Sequence, residues 1–204
     1  MSRVRQSYAT TETCGVMPAS FSPKEIHMTY RYRLTRSDLP VGWLRMHEPC
    51  VLWIMLNPST ADEQQDDRTI GRVKAFTRRL GYSGLTVVNL YALRSTDPRG
   101  LWAADNPVGP DNDTVIAREA FTAVNDGVPI IAAWGSNARP ERVAQVLALP
   151  HVAARLHCLG VTKSGAPRHP LYLRADAALT PWPVTPEIID VSCGAFMTVT
   201  EDHA

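Results

Sequence analysis

Four apolar runs separated by helix-patterned stretches constrain the fold of this chain more than any other feature. VLWIML at 51–56 has no polar residue in either half of its alternation, the pattern of a strand covered on both faces. LTVVNL (85–90), VPIIAAW (128–134) and RLHCLGV (155–161) are read as three further buried strands. Between them, residues 67–80 place Ile70, Val73, Phe76 or Thr77, and Leu80 at helical spacing. Asp66 or Asp67 is placed to cap this helix, and Gly81 to end it. Helices are also predicted over 111–126, with an Asp or Asn cap, and over 139–149, with Pro140 in the first turn. Alternating strands and helices imply right-handed crossovers. The expected fold is therefore α/β, a three-layer α/β/α domain around a mostly parallel four-stranded sheet. MTYRYRLTR (28–36) alternates with period two and adds an N-terminal edge strand or hairpin.

The 204 residues suit one domain, expected over 26–180, with a flexible Ser/Thr/Pro-rich leader at 1–25 and a C-terminal tail at 181–204. Composition, 45% hydrophobic and 20% charged, is that of a folded globule. A net charge of +1 does not announce a nucleic-acid partner, and leaves room for a local basic surface. The four cysteines form no CxxC pair and read as reduced thiols. No apolar run reaches a membrane span and no signal-peptide core stands at the start, so a cytoplasmic protein without a membrane partner is expected.

In a parallel sheet, ligands bind beyond the carboxyl ends of the strands. Here the first strand ends in Asn57-Pro58-Ser59-Thr60, the second in Asn89-Leu90-Tyr91 and the third in Trp134-Gly135-Ser136-Asn137. After the fourth come Lys163, Arg168 and His169-Pro170-Leu171-Tyr172. Amides, an imidazole and aromatic rings thus fall on one rim, as a ligand pocket requires. No GxGxxG, GxxxxGK[ST] or GxSxG motif is present, which removes the main support for nucleotide-driven and triad-hydrolase chemistry. The six histidines lack metal-ligand spacing, so neither metal nor cofactor is expected. Asp62, Asp66 and Asp67 near the first strand are the alternative, a minor one, as ligands of a divalent ion.

The order of LNPST, VVNLY, AAWGSNA and RHPLY is similar to that of the uracil-DNA glycosylase superfamily. LNPST resembles the Gly-Ile-Asn-Pro-Gly motif of its mismatch-specific branch, and His169-Pro170-Leu171-Tyr172 resembles its His-Pro-Ser loop. VVNLY resembles the strand whose Asn reads the base, and AAWGSNA the Leu-Trp-Gly-x-x-Ala segment. The chain also looks like an uncharacterised family of bacteria and phages typified by LNPSTAD, VVNLYALR and HPLYL. Ser59 replaces the Gly of the first motif, Leu171-Tyr172 replaces the Ser-Pro of the second, and residues 92–113 have no simple counterpart.

The resemblance implies a DNA glycosylase that flips an unmodified or modified base out of duplex DNA and hydrolyses its N-glycosidic bond, with DNA repair or phage defence as its setting. Asn57 would hold the water, His169 would hydrogen-bond the base oxygen as it becomes anionic, and Asp67 is an alternative general base. Pro58, Asn89, Tyr91 and Trp134 would bind the base; Ser59, Thr60, Lys163 and Arg168 would bind phosphate. Two other readings stand beside it: a non-catalytic base-binding module of the same fold, and a hydrolase of free nucleosides or nucleotides. Arg72, Lys74, Arg78 and Arg79 read first as a solvated helix face, and second as phosphate contacts.

Overall fold

The computed structural model describes residues 30–38, 49–59 and 66–182. The 1–25 leader, Thr60, Asp62 and the tail beyond Trp182 lie outside the described residues. The strands are β1 (Leu34–Ser37), β2 (Cys50–Met55), β3 (Gly84–Asn89), β4 (Ile130–Ala132), β5 (Leu156–Cys158) and β6 (Thr180–Pro181). They form one sheet in the order β1-β3-β2-β4-β5-β6. The pairings of β3, β2, β4 and β5 are parallel, and β1 and β6 pair antiparallel at the two edges.

The α/β class is as expected, but the sheet has six strands. β1 takes the place foreseen for an N-terminal edge strand. β6 is a correction: two residues, one a proline, carry no periodic signal. It forms because Trp182 anchors it, through its backbone N–H to Leu156 O at 3.1 Å and its indole against Trp134. A proline is tolerated there because an edge strand need not donate on its outer side.

Strand alternation divides the interior into two cores. Leu52, Ile54, Val88, Ile130 and Ala132 point to one face, covered by helix α3 (Asn112–Asn125), helix α4 (Pro140–Leu147) and Leu101 of the short helix α2 (Pro98–Ala103). Val51, Trp53, Met55, Leu85, Val87, Ile131 and Ala133 point to the other, covered by Ile70, Val73 and Phe76 of helix α1 (Arg68–Arg79). In α1, Ile70, Val73, Phe76 and Thr77 are the buried stripe, as their spacing predicts. Asp67 caps it by accepting the Ile70 N–H at 2.8 Å, and Gly81 follows with φ +87°. At α3 the expected side-chain cap is missing. Asp111 makes no capping bond, and Asn112 turns inward instead.

Of the α1 cations, Arg78 and Arg79 are exposed and Arg72 and Lys74 half-buried, and all four have partners. Arg72 Nη2 donates to Leu173 O at 2.6 Å, Arg79 donates to Ala177 O, Lys74 pairs with Asp66 at 2.9 Å and Arg78 with Asp38 at 2.7 Å. Two of these bonds hold the segment after the His169 loop against α1.

Candidate functional site at the carboxyl rim

Beyond Met55 and Asn89 the chain continues in parallel. Leu90 and Tyr91 donate to Met55 O and Leu56 O, and Ser95 N–H reaches Pro58 O at 3.0 Å. Asn57 fastens these two extensions. Its Nδ2 donates to Ser95 O at 2.8 Å and to Pro58 O at 3.0 Å, while its Oδ1 takes no hydrogen bond from a described residue. Pro58 is buried beneath this corner and Ser59 is half-buried. The Asn-Pro corner is therefore a splice between two strand ends, with one amide oxygen left over.

Asn89 continues the Leu85–Val87 alternation, so its side chain lies on the α1 face. It is 3% exposed, and its amide makes no hydrogen bond with a described residue. Neither amide atom is among the buried side-chain atoms that lack a partner, so the little surface that Asn89 exposes is at its amide. Two strands away, Gly135 follows Ala133 on the same face and donates to Pro167 O at 3.0 Å. Its φ is +77°, and a side-chain carbon there would stand 3.4 Å from His169 Cβ. Glycine thus permits the His169 loop to close onto the end of β4.

His169 precedes a single 3-10 turn, Pro170–Tyr172, and its Nδ1 accepts the Leu171 N–H at 3.4 Å. An accepting Nδ1 leaves the proton on Nε2. Burial pushes the imidazole below its usual value, against an opposing pull from the Asp67 carboxylate, so the neutral ring dominates at pH 7. Asp67 spends Oδ1 on the α1 cap and stands near the imidazole. Asn89, Met55 and Ala133 thus lie on the α1 face at the carboxyl ends of β3, β2 and β4, Asn89 and Ala133 two inter-strand spacings or about 10 Å apart, with His169 against Gly135.

The aromatic assignments fall elsewhere. Tyr91 and Trp134 are buried in the opposite core, edge-on to Trp102 and Trp182 at 5.1 and 5.3 Å. The Tyr91 hydroxyl lies by the Arg139 backbone without a hydrogen bond of full geometry, and burial raises its pKa. Tyr172, 77% exposed and 6.0 Å from His169 between ring centres, is the aromatic ring beside the imidazole. Lys163 and Arg168 are exposed on the neighbouring loop, where Arg168 Nε donates to Val161 O at 2.9 Å. Sequence reasoning missed Ser95, Asn112 and Arg142. Ser95 acts through its backbone, and the other two look like an ordinary cap and an ordinary helix-surface cation.

A family model for a protein of unknown function, DUF1643, matches residues 31–171, more than half of the chain. The chain belongs to this family. No curated protein and no solved structure matches it. The matched span takes in β1 through His169 and so includes Asn57, Asn89, Gly135 and His169, and stops one residue short of Tyr172. No helix among the described residues is long and apolar enough to cross a membrane, and no group of three or more metal-ligating side chains is found among them.

Proposed function

We propose that the chain is a uracil-DNA glycosylase-like enzyme that takes a flipped base at the carboxyl rim of the sheet and hydrolyses its N-glycosidic bond. The observation that carries this reading is an Asn89 amide with no hydrogen bond to a described residue, on the same face of the sheet as a neutral imidazole whose Nε2–H also has no partner among the described residues. An amide supplies one donor and one acceptor to a base edge. The His169 Nε2–H meets the base oxygen where negative charge grows as the glycosidic electron pair moves onto the base. Water, oriented by Asn57 Oδ1, adds to the sugar C1′ and gives its proton to the Asp67 carboxylate. Lys163, Arg168 and Ser59 are the phosphate contacts in this reading, and Tyr172 replaces Tyr91 and Trp134 as the ring beside the base.

A second reading, a base-binding module without hydrolysis, is favoured by Asn57. Its Nδ2 is occupied by two carbonyls, and an amide is no base. The test uses duplexes carrying candidate bases, incubated with the protein and then treated with alkali. Scission at the candidate base supports the glycosylase. Salt-dependent duplex binding with no scission for any base refutes it in favour of the module, whereas affinity for nucleosides without affinity for duplex points to a free-nucleoside enzyme.

A further inference from the structure

Behind the rim, on the α3–α4 side of the sheet, two buried polar side chains converge on two consecutive carbonyls. Asn112, fully buried, donates from Nδ2 to Asn89 O at 3.0 Å and to Leu90 O at 3.1 Å. Arg142, 4% exposed, donates from Nε to the same Leu90 O at 2.8 Å. Its Nη2 is held by Asp113 Oδ1 at 2.5 Å, which orients the guanidinium. Burying an arginine and an asparagine is costly unless both are fully bonded, and Asn112 Oδ1 has no partner among the described residues. Rotating the amide by 180° would turn that oxygen against the two carbonyls. The fold tolerates the unpaired atom to keep both donors on the strand end.

The chain bends from strand to loop at these carbonyls, and Asn89 stands there with its own amide unanchored on the other face of the sheet. We infer that Asn112 and Arg142 are positioning residues. They fix the Asn89–Leu90 peptide units from behind, and so fix the direction in which the Asn89 side chain leaves the strand on the α1 face. The structural part of this inference needs no substrate. The consequence for base recognition rests on the glycosylase reading.

The test is 15N relaxation of the Asn89 side-chain amide, assigned by its loss in Asn89→Asp. In the wild-type protein it should be as ordered as the core backbone. Motion like that of the exposed Asn137 amide overturns the inference before any clamp variant is made. In Asn112→Ala and in Arg142→Lys, which keeps the charge beside Asp113, the Asn89 amide should become mobile. The buried Trp53 indole N–H, bonded to Thr77 Oγ1, should not change. Unchanged order of Asn89 in a folded variant refutes the clamp, and the wild-type measurement decides if neither variant folds. Where wild-type scission exists, Asn112→Ala should raise KM about tenfold, equivalent to roughly 1.4 kcal/mol of binding, with kcat little changed. Absence of scission by the wild-type protein would count against the glycosylase alone and leave the relaxation result standing.

Discussion

Replacing Asn57 by alanine tests whether the rim corner is a splice as well as a water-holding site. The substitution removes the Nδ2 bonds to Ser95 O and Pro58 O. Pro58 O keeps the Ser95 N–H, so its loss is partial, whereas Ser95 O loses the donor that faces it. At about 0.5–1.5 kcal/mol net for each bond, the expected destabilisation is roughly 1–3 kcal/mol. That is a large fraction of the 5–15 kcal/mol typical of a domain. Urea denaturation at pH 7.5 should show a lower midpoint with an unchanged slope. Asn57→Asp should be at least as damaging, because it sets a carboxylate against two carbonyl oxygens. If both variants stay within about 0.5 kcal/mol of wild type, the splice contributes nothing and Asn57 is free to be purely a water ligand. A consequence for enzymology follows: lost activity in Asn57→Ala identifies a water-holding role only after the destabilisation has been subtracted.

Two further outcomes follow from the Asp67–His169 pair and its surroundings. Asp67→Asn retains a capping oxygen for the Ile70 N–H but removes the charge that draws the His169 pKa upward, so an NMR titration should find that pKa lower than in wild type; an unchanged value would place the carboxylate away from the ring. Because burial already holds the folded-state His169 pKa below its ordinary value of about 6.5, the unfolded chain takes up the proton first as pH falls. The stability from the neutral ring is thus complete above that value and is lost as pH drops through the folded-state pKa; His169→Gln should flatten this part of a pH series of urea midpoints, and an unaltered slope would refute the linkage.

The secondary structure was largely legible because it is written in local periodicities. The unbroken runs at 51–56 and 85–90 became strands buried on both faces, and Ile70, Val73 and Phe76 became the stripe of α1. The 128–134 and 155–161 runs shortened to Ile130–Ala132 and Leu156–Cys158, since a ladder ends where its neighbour leaves, which no single run encodes. The parallel pairing of β3, β2, β4 and β5 puts their carboxyl ends on one side of the sheet, but not their side chains on one face.

By itself, then, the sequence determined an α/β chain with an edge strand near its start and a polar carboxyl rim. Tertiary structure decided which rim residues share a face of the sheet. Asn89 faces α1 with His169 and Asp67, while Tyr91 and Trp134 turn into the opposite core, because each face is set by how far a strand keeps alternating and by what covers it. Tertiary structure also chose between identical polar groups. Asn57 was claimed by a carbonyl 38 residues away, and Arg142 by one 52 residues away, whereas the Asn89 amide was left unclaimed. A hydrogen-bonding side chain is satisfied by whichever partner the fold brings within about 3 Å, and that distance is a property of the packed molecule, not of the neighbouring sequence.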